Sequence, residues 1–231
     1  MQNAALTVIF DLEGTLVDCV PQTLQSWQRA LGESLFDFCI DQLQAYSGMD
    51  AGQMLARLLP GRSTALKRDI LRRQRLLYRE QYLHGVQPFP EIREAFLALR
   101  RAGVTLAIAS MCTADDLAAY DRRLRLLQAA DAVVCGDEAR RGMPAPDLLV
   151  AVLRKLGERR ALSPVVVVGD SPYDAQAARA LGFEAVGVVT GGFSREALLS
   201  SGHACVLERA GANAVLMPLP SVARSWPPRS R

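Results

Sequence analysis

Carboxylates at two points of the chain have the setting that phosphorus chemistry requires. Asp11 stands in the string Phe10-Asp11-Leu12-Glu13-Gly14-Thr15, directly behind the apolar run Leu6-Thr7-Val8-Ile9-Phe10. Such a run reads as a buried parallel strand, and open α/β sheets bind ligands at the tips of their strands. A carboxylate there can attack phosphorus when a cation offsets its own charge and that of the phosphate. Gly14 and Thr15 suit a tight turn that lets backbone N–H groups approach a phosphate. Asp170 and Asp174 follow a second apolar run, Val165-Val166-Val167-Val168-Gly169. A second strand-end carboxylate beside Asp11 suits Mg2+, which commonly takes one or two carboxylates and completes its shell with water. Asp174 also fits a helix cap, because Ser171 is a natural N-cap and Pro172 a natural first helical residue. The two uses are compatible. Ser110 ends a third apolar run, residues 104–110.

These residues need a frame that brings them together. Further apolar runs at residues 132–135, 185–189 and 204–207 read as strands. Between them lie helical patterns: Leu117, Tyr120, Leu124 and Leu127 share one face, as do Leu148, Leu149, Val152 and Leu156 behind Pro144 and Pro146. Strand and helix in alternation imply an α/β fold, a Rossmann-like parallel sheet with helices on both faces. Residues 19–86 break the rhythm. They hold three helical stripes (Leu24, Trp27, Leu31; Met54, Leu55, Leu58; Leu66, Ile70, Leu77) and no strand pattern. The expected organisation is a discontinuous core, residues 1–18 and 87–231, with an all-helical insert at 19–86. Gly85 and Pro88-Phe89-Pro90 mark the return to the core, where a helix is expected over 91–101. Residues 218–231, rich in Pro, Ser and Arg, are expected to fray.

The motifs in this order resemble those of the haloacid dehalogenase (HAD) superfamily hydrolases, in the phosphoglycolate phosphatase-like branch with a type-one helical cap. The resemblance covers nearly the whole chain. It implies that Asp11 is the nucleophile and Glu13 the general acid/base. It implies Mg2+ bound by Asp11, Asp170 and the Glu13 carbonyl, with Asp174 in support, since Gly169, Asp170 and Asp174 match the family's GDxxxD. It implies that Ser110, with Met111 beside it, holds the phosphate, and that Ser47, Gly48 and Met49 belong to a cap that closes over the site and selects the substrate. The activity implied is Mg-dependent hydrolysis of a small phosphorylated metabolite through an aspartyl-phosphate.

Two positions depart from that pattern. Most phosphatases of the family carry Asp where this chain has Glu13, and the extra methylene moves the carboxyl by more than about 1 Å. The segment Arg141-Gly142-Met143-Pro144-Ala145-Pro146-Asp147 resembles the one in which Lys precedes Pro-x-Pro-Asp, yet Met143 occupies the Lys position. Losing one preorganised charge of this kind commonly costs about 10² to 10³ in rate. The chain's two lysines, Lys67 and Lys155, belong to the cap and to a later helix, so Arg140 or Arg141 is the nearby cation. Alternatives follow: a catalytically impaired HAD-fold protein that binds phosphate or a partner, a haloacid dehalogenase, or a phosphoryl mutase.

Composition narrows the classes. With 231 residues, half of them hydrophobic, the chain can bury a full core. A net charge of +3 gives no argument for nucleic acid. Basic residues of the cap, Arg62 through Arg79, read first as a solvated face and secondly as a lure for an anion. The five cysteines form no CxxC pair, which favours reduced thiols. No signal peptide and no membrane span are expected. A cytoplasmic monomer or homodimer is the expectation.

Overall fold

The computed structural model describes residues 6–157 and 164–211. The chain opens with β1 (Thr7–Phe10) and a two-residue strand, β2 (Val17–Asp18). Four helices follow: α1 (Val20–Glu33), α2 (Ile40–Gln44), α3 (Ala51–Leu58) and α4 (Thr64–Leu77). A π turn (Tyr78–Tyr82) and a 3-10 turn (Leu83–Gly85) lead to β3 (Gln87–Pro88), which pairs antiparallel with β2. This ribbon joins the entrance and exit of the helical segment, and the described chain between its strands holds helices and connecting turns and loops but no strand.

The rest alternates as the apolar runs require. In order come α5 (Ile92–Arg101), β4 (Thr105–Ala109), α6 (Ala114–Leu124), β5 (Ala132–Val134), α7 (Asp147–Leu156), β6 (Val165–Gly169), α8 (Pro172–Ala180), β7 (Glu184–Val188), α9 (Arg195–Ser201) and β8 (Cys205–Leu207). Six strands form one parallel sheet in the order β5-β4-β1-β6-β7-β8. The order reverses at β1, whose neighbours β4 and β6 both come from later in the chain. The crevice at such a switch point is the preferred ligand site of open parallel sheets.

Side chains of the central strands alternate between two cores, as a period of two demands. Val8, Phe10, Leu106, Ile108, Val166 and Val168 fill one face, where the Phe10 and Phe96 rings lie 5.6 Å apart. Ile9, Ala107, Ala109, Val165 and Val167 fill the other, continuous with Leu24, Trp27, Leu55 and Ile70 of the helical segment. Each fully buried apolar side chain of this size contributes about 1.5–3 kcal/mol. The helical segment is thereby packed as an extension of the second core.

Two helix limits differ from the periodic reading. The pattern carried a single face through Leu127, but α6 ends at Leu124. Arg125 turns left-handed (φ 50°), and the Asp121 carboxylate accepts the N–H groups of Leu126 and Leu127 at 2.9 and 3.0 Å, placing Leu127 in a separate 3-10 turn. Similarly α5 starts at Ile92, because Glu91 is left-handed (φ 64°). The run 218–231 lies outside the described residues. Among the described residues no helix is long and apolar enough to cross a membrane.

Candidate active site

Strand pairing brings the first two carboxylates together. The Asp11 N–H donates to the Val168 carbonyl at 2.8 Å, carrying the β1–β6 pairing one residue past the strand end. Asp11 and Asp170 follow these neighbouring strands, close enough that each raises or lowers the other's proton affinity. The Thr15 hydroxyl donates to Asp170 Oδ1 at 3.1 Å. Gly14, at φ +85°, sits so close to Asp170 that a Cβ would collide with the carboxylate, so the turn needs glycine for conformation and for space alike. Asp174 accepts from the Ser171 N–H (3.0 Å) and hydroxyl (2.6 Å). The capping arrangement readable in the sequence is therefore real, and it fixes Asp174 toward the same centre.

Above these residues lies a cavity of about 190 Å³. Asp11, Glu13, Asp174 and Met143 line it from the core, while Trp27, Leu43, Met49, Met54 and Leu71 line it from the helical segment. Polar contacts seat the segment on the core. Gln44 donates to the Gly191 carbonyl (2.7 Å), Tyr173 to the Ala45 carbonyl (2.6 Å), and the Asp50 N–H to the Met143 carbonyl (2.9 Å). Gly48, at φ +84°, approaches Ser171 so closely that any Cβ would meet the seryl side chain. The helical segment leaves Asp11 and Glu13 half-buried and Asp170 and Asp174 buried, and limited access of bulk water strengthens charge interactions there.

Acidity dominates the electrostatics. Burial pushes Asp11 well above the ordinary carboxylate range, and the charges of Asp174, Asp170 and Glu13 push it further. Burial raises Asp170 to about 8, with Asp174 adding to the rise and the Thr15 bond and neighbouring Asp11 opposing it. Burial likewise raises Asp174, against the Ser171 bonds. Glu13 is raised to about 7, again by burial first, with the Tyr120 hydroxyl opposing and the Asp116 charge assisting. Five acidic residues line the cavity (Asp11, Glu13, Asp50, Asp116, Asp174) against one basic residue, Arg75. Asp116 is paired with Arg79, but Asp11 and Asp174 have no basic partner among the described ion pairs, and mutually repelling carboxylate oxygens of this kind fit a hard dication. Among the described residues no three or more His, Cys, Asp or Glu are grouped so as to hold a metal ion by themselves.

A consequence for stability follows. A carboxyl whose folded pKa is raised contributes most below its unfolded pKa and loses that contribution as pH rises through the folded value. For Glu13 and Asp170 the window runs from about pH 4 to about pH 8. Thermal unfolding in EDTA should therefore show a falling midpoint between pH 5 and pH 8, and Asp170→Asn should flatten that slope. A midpoint of the wild type that rises across this range, unchanged by Asp170→Asn, contradicts the electrostatics described.

Not every residue singled out in the sequence lines the cavity. Asp11, Glu13, Ser47, Gly48, Met49, Met111 and Asp174 do. Asp170 and Thr15 lie buried beneath it, and the Thr15 hydroxyl serves Asp170. Ser110 is fully buried behind Met111, its hydroxyl accepting from the Cys112 N–H at 3.2 Å. Arg141 is turned away. It forms an ion pair with Asp147 at 2.9 Å and borders a separate surface depression with Arg140. Lys155 pairs with Glu138 at 2.6 Å. Neither side chain fills the gap left at Met143.

Of the basic run read first as a solvated face and secondly as a lure for an anion, Arg75 is the member that lines the cavity. It shares a face of α4 with Leu71 and Gln74, and Tyr78 continues that face into the π turn. All four line the cavity, and their three- and four-residue spacing was the available signal. Elsewhere in the basic run, Arg73 pairs with Glu33, Arg72 with Asp69 and Arg79 with Asp116. Tyr120, whose hydroxyl donates to Glu13 Oε1 at 2.7 Å, left no local signal at all.

Comparison with known proteins accords with this geometry. A family model described as haloacid dehalogenase-like hydrolase matches residues 6–182. A phosphoglycolate phosphatase of Nitrosospira multiformis is 32% identical over 76% of this chain and 79% of its own length. A fructose-1-phosphate phosphatase of Escherichia coli is 28% identical over 78% of this chain and 95% of its own. Among solved structures, a hydrolase from Pseudomonas syringae superposes with a TM-score of 0.80 at 27% identity, covering 88% of this chain and 94% of its own.

Proposed function

The chain belongs to the haloacid dehalogenase-like hydrolases, and from that premise we propose that it hydrolyses small phosphate monoesters with Mg2+ through an aspartyl-phosphate on Asp11. The observation that carries this reading is the placement of Asp11 and Asp170 just beyond the paired strands β1 and β6 at the switch point, beside a cavity covered by the helical segment. The cavity volume of about 190 Å³ is below the usual ligand-pocket range of about 300–1,000 Å³, which supports a small ester. Relatives named for phosphoglycolate and for fructose 1-phosphate support the class and leave the ester itself open.

The chain's own residues have these roles. Asp11 attacks phosphorus and the phosphorus–oxygen bond to the leaving alcohol breaks. Glu13, protonated near neutral pH by its raised pKa, gives its proton to that alcohol. As a carboxylate it then takes a proton from water, which hydrolyses the aspartyl-phosphate. Asp11, Asp170 and the Glu13 carbonyl would hold Mg2+, with Asp174 in support. When bound, the ion supplies the positive charge that lets a carboxylate approach a phosphate dianion.

The test is phosphate release from a generic aryl phosphate and a panel of small esters, with Mg2+ and with EDTA. Turnover with Mg2+ that EDTA abolishes is the expected result. A folded protein that binds Mg2+ and phosphate but turns over no ester would identify the impaired, binding form of the fold, for which buried Met143 is the specific argument. Release of halide from a haloacid, without need of metal, would overturn the phosphatase reading.

A further inference from the structure

Glu13 is held by a chain of two tyrosines. Tyr120, on α6, donates its hydroxyl to Glu13 Oε1 at 2.7 Å. The hydroxyls of Tyr120 and Tyr78 lie 2.6 Å apart. With the Tyr120 proton committed to Glu13, Tyr78 is the donor of that second bond. Both rings are buried, at 2% and 5% exposure, in the core face that also holds Leu12, Leu16 and Cys19. Tyr78 is the first residue of the π turn by which the helical segment returns to the core, and such turns recur where side chains are aimed for function. Its neighbour Arg79 clamps that turn to the start of α6. The guanidinium donates to Asp116 Oδ1 at 2.7 Å and to Thr113 Oγ1 at 2.8 Å. Three parts of the chain, around residues 78, 120 and 13, are thus linked in one hydrogen-bonded row that ends at the Glu13 carboxyl.

The length of the Glu13 side chain is what makes this contact possible. An aspartate would withdraw the carboxyl by about 1.5 Å, one carbon–carbon bond. The 2.7 Å contact would then open to about 4 Å, beyond hydrogen-bond range. We propose that Tyr120, backed by Tyr78, is a positioning residue for the Glu13 carboxyl, and that this site is built for glutamate at position 13. The proposal rests on the acid/base role of Glu13 in the phosphatase reading. Tyr120 does not line the cavity, so it acts on Glu13 and makes no contact with substrate.

The test is a kinetic double-mutant cycle on the full chain with Mg2+ and the best ester of the panel. Tyr120→Phe keeps the ring and removes the hydroxyl. It should lower kcat by about 10- to 10²-fold, the effect of misplacing a reacting group by about 1 Å, with KM nearly unchanged. Tyr78→Phe should lower kcat about fivefold, the worth of one net hydrogen bond. Glu13→Asp should lower kcat in the wild-type background and cost little more once Tyr120 is Phe, because the two changes break the same contact. Three results each overturn the proposal: Tyr120→Phe at wild-type kcat, Glu13→Asp as fast as wild type, or fully additive effects. Glu13→Gln separates this failure from that of the phosphatase reading. If it is inactive while Tyr120→Phe is not, the positioning role falls and the acid/base role stands. A wild type without turnover on any ester overturns both. A thermal-unfolding cycle between Tyr120→Phe and Glu13→Gln then reports only whether hydroxyl and carboxyl are coupled.

Discussion

Asp11→Asn is expected to abolish phosphate release while making the metal-free protein more stable. The amide keeps the shape of the side chain but cannot form the acyl-phosphate. Removing a covalent nucleophile typically costs about 10⁴-fold or more in kcat. The stability change has the opposite sign because Asp11 sits under the charges of Asp174, Asp170 and Glu13, on top of its own burial. A neutral amide relieves that repulsion. In EDTA at pH 8, where the neighbouring carboxyls are most nearly ionised, the gain should be on the order of 1–3 kcal/mol, the scale of one buried unsatisfied polar group. Such an exchange of stability for activity is common where function needs like charges held together. Steady-state kinetics with Mg2+ and thermal unfolding with EDTA, on the same two proteins, check both halves. Full activity in Asp11→Asn would remove Asp11 from the chemistry. An inactive variant that is also less stable would refute the charge balance described.

Met143→Lys is expected to raise kcat/KM by about 10² to 10³, the worth of one preorganised charge at a developing anion. Met143 is 4% exposed and lines the cavity with Asp11. Its backbone is fixed independently, the carbonyl accepting from the Asp50 N–H at 2.9 Å and from Gln53 Nε2 at 3.4 Å. A lysine is similarly long and unbranched, so its ammonium would enter a space walled by five acidic residues. No described cation already does this work from the Met143 side, since Arg141 is paired with Asp147. Arg75 is the remaining candidate, reaching the cavity from the helical segment. The two are told apart by pairing the measurement with Arg75→Gln. A large gain from Met143→Lys with little loss from Arg75→Gln identifies a missing charge. A gain below tenfold, with a loss above tenfold in Arg75→Gln, assigns the neutralising role to the cap.

Much of the frame was determined by the sequence alone, because burial and periodicity are local properties. Val165–Gly169 is buried throughout, as an unbroken valine run on a doubly covered sheet must be. The same logic placed Asp11 and Asp170 at strand tips, and Ser171-Pro172 with Asp174 announced its helix cap through chemistry three residues long. Local logic failed first at chain reversals. Leu127 kept the period of α6 but lost the helix to Asp121, whose carboxylate captured the backbone beyond it.

What only the tertiary structure decided is which polar groups meet. Thr15 meets Asp170 across 155 positions, and Tyr120 meets Glu13 across 107. Nothing in the spacing of such residues encodes the pairing, which exists only once parallel strands set their tips side by side. The arginines make the same point. Arg141 and Arg75 are alike in composition and exposure, yet one turns to a neighbouring aspartate and the other to the cavity. An exposed charge costs little in either direction, so its sequence leaves the choice to whatever the fold brings within reach.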